Sequence, residues 1–408
     1  MTQAILPALW LIVLIVGLPQ LSETVYSPSL PEIARVLHTS DSMVEYTLTI
    51  YLVGFAFGIL FWGKLSDKLG RKPCVLAGLS IFTLGCLSCY YSNSIHLLMI
   101  SRFIQAFGGS IGSVLGQAIS RDAFHGSALA KAYSSVGIAM AIFPAIGPLV
   151  GGLISEHFDW SNIFLFLMMC AICLSIILAW CLPETHHPSN RKPISVLEVL
   201  QSLSKNKQVI GFGLLVGIGN GISFSYFAEG SFYLIEILEL SPSQYGLSFI
   251  AIAFSSMLGG TFSKKLNNTH SSQTIIKYGL GIILSATLIF SALTLLHAHF
   301  IKLPNSCMVA ITLIAHMHIM CGVCMSNGNA LALALVDYKW CIGTASSLFG
   351  FLYYTVTALI TLGMGYLHND TLLPMPLYFL SMSIFMVWIY TVMISNTFQS
   401  PVLEQATE

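Results

Sequence analysis

Stretches of about twenty consecutive apolar residues restrict this chain more than any other feature. Ile5–Leu21 and Ile163–Leu182 contain no Asp, Glu, Lys or Arg. At the α-helical rise of about 1.5 Å per residue, such a stretch reaches across the hydrocarbon core of a bilayer. A membrane β-barrel would instead alternate polar and apolar positions in strands of about ten residues. Of 408 residues, 55% are hydrophobic and 8% charged, where a soluble domain carries about 25% charged residues. Lys and Arg together number 17, as do Asp and Glu, so no basic excess exists to hold nucleic acid. The fold class that follows is an all-α membrane protein with many spans.

Hydropathy predicts twelve transmembrane helices, near 5–28, 43–62, 74–92, 95–119, 131–154, 162–182, 209–235, 243–263, 275–296, 306–335, 342–367 and 372–395. The long connector, 183–208, carries Pro183, Pro188, Pro193, Arg191, Lys192, Lys205 and Lys207. It divides the chain into an N-terminal six-helix bundle, 1–182, and a C-terminal one, 209–408. Twelve spans leave no length for an extramembrane domain, and with Arg35 the first basic residue no cleavable signal peptide is expected. If both termini are cytoplasmic, fourteen basic residues fall on the inner side and two, Arg35 and Lys302, on the outer. That bias predicts cytoplasmic termini and a cytoplasmic connector. Lys64-Leu65-Ser66-Asp67 recurs as Lys265-Leu266-Asn267-Asn268, and Gly78-Leu79 as Gly279-Leu280, at one offset. Parallel six-helix halves of this kind can rock about a central site, which favours a transporter over a channel or scaffold. The ten cysteines lie mostly inside apolar runs, the CxxC pairs 86/89, 170/173 and 321/324 included. There they read as small packing residues, not as zinc or redox ligands.

Charge within a bilayer is expensive, about 2.5–3.5 kcal/mol per group on insertion scales. Three residues incur that cost: Glu23 in the first span, Arg102 in the fourth and Glu229 in the seventh. Counted from the helix ends, all three lie at similar depth and so can meet across a cavity. The two acids also fit an interfacial, hydrated position; Arg102, between Ile100 and Phe103, does not. A carboxyl whose neighbours change between two conformations can bind and release a proton. Gln105, Gln117 and Asn220 are polar groups on the same helices, open to a cavity-lining or a packing role. Tyr26, Tyr51, Phe55 and Tyr226 are candidates for an aromatic substrate cavity. His316 and His318 are two apart, face different directions on a helix and lack a third ligand, so no metal is expected.

The loop Gly63-Lys64-Leu65-Ser66-Asp67-Lys68-Leu69-Gly70-Arg71-Lys72-Pro73 joins the second and third spans. Gly63 and Gly70 permit close approach and a sharp turn. Asp67 can sit at a neighbouring helix N-terminus, and Arg71 can pair with Asp122. The fifth span contains Pro144, Gly147, Pro148, Gly151 and Gly152. Its prolines remove backbone donors, and Gly147 and Gly151 on one face permit close helix packing.

These stretches carry a family resemblance. The loop resembles motif A of the major facilitator superfamily, Leu98–Gly109 its motif B, and Pro144–Gly152 its antiporter-associated motif C. Tyr26-Ser27-Pro28-Ser29-Leu30-Pro31, Arg121-Asp122, Trp160–Phe164 and Leu182-Pro183-Glu184-Thr185 look like the Bcr/CflA-type drug:proton antiporters. The family pattern places an Asp two residues before the first-span Tyr; here Thr24 stands there and Glu23 precedes it. The resemblance implies proton-coupled export of a small organic molecule by alternating access, in a bacterial inner membrane, by a monomer. Arg102 would shape the proton site with Glu23 or Glu229, and Asp67, Arg71 and Asp122 would form the inner gate. A dedicated exporter of one metabolite, such as a siderophore, is the alternative within transport. A non-transporting sensor would ordinarily need a signalling domain. With no GxxxxGK[ST] stretch for ATP, the expected driving force is the proton gradient without a cofactor. The protein's partners are then its substrate, protons and the bilayer. No HExxH-like constellation suggests an enzyme.

Overall fold

The computed structural model describes residues 6–186 and 195–395. Positions 187–194 of the connector, with Pro188, Arg191, Lys192 and Pro193, lie outside the described residues.

Twelve helices are long and apolar enough to span a membrane: Leu9–Val36, Asp41–Leu69, Arg71–Tyr90, Ile95–Ala123, Gly126–His157, Asn162–Cys181, Lys207–Ile237, Pro242–Leu266, Ser272–His299, Asn305–Ala334, Val336–Leu367 and Pro374–Ile394. They are numbered here as first to twelfth span. No strand occurs among the described residues. The hydroxyls of Ser40, Ser94 and Ser271 accept from Met43, Leu97 and Thr274 amides and so start the second, fourth and ninth spans. Asn206 Oδ1 does the same for Gln208 and Val209 at the seventh.

One span differs instructively from the hydropathy reading. The first continues to Val36, through a 3₁₀ turn at Ser27–Ser29 and a second helix at Leu30–Val36. Pro28 and Pro31 end the apolar pattern, yet each stands in a first turn, where a missing N–H breaks no internal bond. The fifth runs as one helix through both Pro144 and Pro148. The connector also carries a helix, Val196–Lys205, begun by Ser195.

Two compact units emerge. One comprises 1–194 with Gly230–Glu236 and Leu240–Ala253; the other comprises Ser195–Glu229, Ile237–Glu239 and 254–408. In the first, the main packing pairs are spans one and five, two and four, three and four, and three and six. In the second, they are nine with ten and nine with twelve. Trp180, Phe300 and Tyr366 stand near helix ends and are more than three-quarters exposed, as aromatic side chains do at a membrane–water boundary. The chain is a multi-pass membrane protein.

Candidate functional site

The polar interior of the first unit is built around Arg102. The fourth span carries it inward, and the side chain is wholly buried. Its guanidinium carbon lies 4.1 Å from the Tyr51 ring centre, 4.6 Å from Tyr26 and 5.8 Å from Phe164. Three ring faces thus supply the negative potential that a buried cation needs. Nη1 donates to Gln105 Oε1 at 2.6 Å, one helical turn on, and Gln105 Nε2 donates to Cys86 Sγ at 3.1 Å. Nε and Nη2 make no hydrogen bond among the described residues. Tyr26 shares a 3.1 Å hydrogen bond with Thr47, and Phe55 stacks beside Tyr51.

Glu23 is 2% exposed, and Tyr51 lies within electrostatic range of both Glu23 and Arg102. The rotation between Glu23 and Thr24 has a clear result. Thr24 faces the fifth span, where a Cβ on Gly147 would run into its hydroxyl, and that hydroxyl donates to Gln20 O. Glu23 is the residue turned toward Tyr51. The expectation of three membrane-buried charges is corrected: Glu45, in the second span, is also fully buried. The second span begins at Asp41, which puts Glu45 a full turn inside the helix instead of at its edge. Gln117 is exposed.

The loop between the second and third spans forms a compact charge network. Arg71 Nη1 donates to Asp67 Oδ1 and to Ser66 Oγ, both at 2.7 Å, and Nε donates to Asp122 Oδ2 at 2.8 Å. Gly63 contributes its carbonyl, which accepts from Ser66 Oγ. Gly70 has φ 106°, a left-handed backbone that lets the second span end and the third begin one residue later. The anion at the third span's N-terminus is not Asp67, as the sequence suggested, but Glu184. Its two oxygens accept from the Arg71 and Lys72 amides at 2.8 and 3.1 Å. Asp67 lies at the C-terminal end of the second span and is held by Arg71. Glu184 was legible only as part of a family-like tetrapeptide, because 113 residues separate it from Arg71.

Motif C makes close contacts on two sides. A Cβ on Gly151 would meet the Val25 carbonyl, and one on Gly152 the Pro242 carbonyl. Gly246 returns the contact against the Pro148 carbonyl. Prolines 144 and 148 thus lie in a helix whose neighbours touch it through backbone.

The second unit answers with different chemistry. Tyr226 stacks on His316, ring centres 3.5 Å apart, and His316 is 2% exposed, whereas His318 is exposed. Asn327 donates to Asn220 at 2.9 Å. Glu229 is 1% exposed, not at a hydrated interface, and accepts from His368 Nδ1 at 2.8 Å. His368 escaped the sequence reading because it follows the eleventh span directly and looks like an ordinary loop residue. All ten cysteines are free thiols.

Comparison with known proteins agrees with this architecture. The sequence profile described as Major Facilitator Superfamily matches residues 12–361. An uncharacterized transporter of Rickettsia felis is 34% identical over 89% of this chain and 90% of its own length. A bicyclomycin resistance protein homolog of Haemophilus influenzae is 30% identical over 88% of each. Among solved structures, a D-xylose–proton symporter superposes with a TM-score of 0.73 at 14% identity, covering 93% of this chain and 96% of the other. That last likeness concerns the fold.

Proposed function

Because the chain belongs to the major facilitator superfamily, whose fold and activity are those of transporters and not of enzymes, we propose that it is a proton-coupled antiporter. It exports small organic molecules of drug type across a bacterial inner membrane. The observation that carries the reading is the Arg102 cluster. A guanidinium with two unbonded nitrogens lies buried beneath Tyr26, Tyr51 and Phe164, and the first span, which carries Tyr26, also carries the buried acid Glu23. A carboxyl so placed changes its proton affinity when the distance to the cation changes. That is the requirement for coupling a proton to a conformational cycle. Substrate class is supported by the resistance-protein name of the Haemophilus relative; Tyr26, Tyr51, Phe55 and Tyr226, all buried, are the aromatic residues that would meet amphipathic or cationic molecules when a cavity opens. Asp67, Arg71 and Asp122 act as the inner gate, Glu229 is the second candidate proton site, and the working unit is a monomer. The fourteen-to-two basic bias supports cytoplasmic termini and connector.

Substrate-dependent proton flux in proteoliposomes, run with a broad panel of drugs and metabolites, tests the reading. Arg102→Ala should abolish coupled flux while the protein still inserts; full activity in that variant rejects the role. Glu23→Gln should lose proton-driven transport yet retain substrate exchange. If Glu229→Gln shows that pattern instead, the second unit carries the proton. Labelling of cysteines placed at Ser189 and Asn369 should report opposite sides of the membrane, and equal outside labelling overturns the topology.

A further inference from the structure

Glu229 lies near the end of the seventh span, one turn before its π-helical segment Phe232–Ile237. His368 directly follows the eleventh span. Asp370, two residues later, adopts φ 57°, a left-handed conformation that Asp tolerates better than most residues. This turn folds the chain back so that both imidazole nitrogens meet a carboxylate. Nδ1 is 2.8 Å from Glu229 Oε2, and Nε2 is 3.0 Å from Asp370 Oδ1. Side-chain exposure rises along the series from 1% at Glu229 through 6% at His368 to 83% at Asp370. Glu229 Oε1 makes no hydrogen bond among the described residues.

We propose that His368 is a proton-transfer residue connecting exposed Asp370 to buried Glu229. Both short contacts are satisfied together when the ring carries two protons and donates to each carboxylate. In the transfer, a proton from water beside Asp370 adds to Nε2 of the neutral ring, the Nδ1–H bond then breaks and its proton passes to Glu229 Oε2, leaving a neutral carboxyl and a neutral ring protonated at Nε2. Release runs in reverse: the Glu229 proton returns to Nδ1, the Nε2 proton leaves to water beside Asp370, and the carboxylate is restored. Each passage moves one proton between water and Glu229 without exposing Glu229 itself. A neutral side chain that merely tied the two helix ends together would need only the Nδ1 contact. The Nε2–Asp370 contact, at the exposed end, is what a relay adds.

The proposal rests on the reading that protons drive the carrier, but its test needs no transported molecule. The full-length protein in phosphatidylethanolamine–phosphatidylglycerol nanodiscs is followed by time-resolved infrared spectroscopy after a pH jump. The Glu229 carboxyl band is identified by its loss in Glu229→Gln. His368→Asn keeps a donor toward Glu229 but cannot pass a proton, and should slow protonation of that band by about a hundredfold. Asp370→Asn, at an exposed position, should slow it by a few-fold. If His368→Asn unfolds, His368→Gly with added imidazole serves instead, and recovery of the rate by imidazole supports the relay. Asp41, Glu45, Glu236, Glu239, His297 and His299 are further titratable groups near span ends. Each is neutralised in turn as a control and should leave the rate in place. An unchanged rate in His368→Asn, no rescue by imidazole, or a Glu229 band that never appears overturns the proposal. A protein with an intact relay but no antiport would leave this inference standing and reject the transport reading alone.

Discussion

In the first unit, the first and fifth spans meet at Gly147 and Gly151 of the fifth, against Thr24 and the Val25 carbonyl. In the second unit, the seventh and eleventh spans meet at Gly213, Gly217 and Gly221 of the seventh, against Leu352, Val356 and Ile360. Each pair joins the first and fifth helix of its six, and each uses glycines four residues apart. Lipid chains are as apolar as leucine, so helices in a membrane gain from close contact and not from burial as such. The two seams reach that contact differently. In the second unit the eleventh span meets the glycine row with side chains, a Leu352 methyl at Gly213 and the branched Cβ groups of Val356 and Ile360 at Gly217 and Gly221, and of these the Leu352 methyl can rotate aside. At Gly151 the neighbour is a backbone carbonyl, which cannot. The fifth-span seam therefore fixes Thr24 and Val25, and with them Glu23 and Tyr26 on either side, which face the Arg102 cluster. A motif read in the sequence as antiporter-like is, physically, the rigid wall that sets the acid's position.

The sharpest way to break this comparison is to put one methyl into each seam. Gly151→Ala should cost about 3 kcal/mol, the upper range for overpacking a core that cannot relax. Gly217→Ala, where the Val356 side chain stands nearest and the Tyr353 carbonyl lies farther off than the Val25 carbonyl does at Gly151, should cost about half as much. Thermal unfolding of the purified variants in one detergent checks the order. Equal losses would mean that the second seam is as rigid as the first.

A second contrast separates the repeated loops. Arg71 holds Asp67, Ser66 and Asp122, while Glu184 caps the helix that follows. At the repeat, Asn267 accepts from Ser272, and the Ser271 hydroxyl caps the ninth span. Neutral groups perform there the local task that charge performs in the first unit. Arg71→Ala strands a half-buried Asp122 and should cost about 2 kcal/mol, less than a fully buried pair because both acids reach solvent. Lys265→Ala, at the repeated but exposed position, should stay within about 0.5 kcal/mol. The same unfolding assay measures both. A large loss at Lys265 would show that the second loop carries a charge network of its own.

Helix number, the repeat and the Arg71–Asp122 pair were legible in sequence because each leaves a local signal: a hydropathy window, a recurring tetrapeptide, opposite charges at adjacent helix ends. What was not legible depended on distance along the chain. Glu184 finds the third span's N-terminus from the far side of four spans, and His368 finds Glu229 across 139 residues. Glu45 was hidden by its place near the start of an apolar run, where a hydropathy window reads any acid as part of the boundary. The stacking of Tyr226 on His316 had no sequence signal beyond two aromatic residues in apolar helices. The rotation of Glu23 against Thr24 was anticipated from helical geometry, but its outcome was not. Only the fifth-span glycines decide which of the two faces the seam.

The smallest effects sharpen the comparison from the other side. A Cβ on Gly213 would meet the Leu352 side chain, its methyl first, and a leucine methyl can leave such a contact by turning to another staggered rotamer. Replacing a mid-helix glycine by alanine also removes backbone freedom from the unfolded chain, which favours the folded state by roughly 0.5–1 kcal/mol. In Gly213→Ala the two effects oppose one another and should nearly cancel. Gly281, on the exposed face of the ninth span, has nothing within 4 Å of its would-be Cβ, so there the gain stands alone. Gly281→Ala should raise the unfolding midpoint slightly, Gly213→Ala should leave it near wild type, and Gly151→Ala should lower it most. If Gly213→Ala falls as far as Gly151→Ala, Leu352 is not free to move, and the distinction between a backbone seam and a side-chain seam fails.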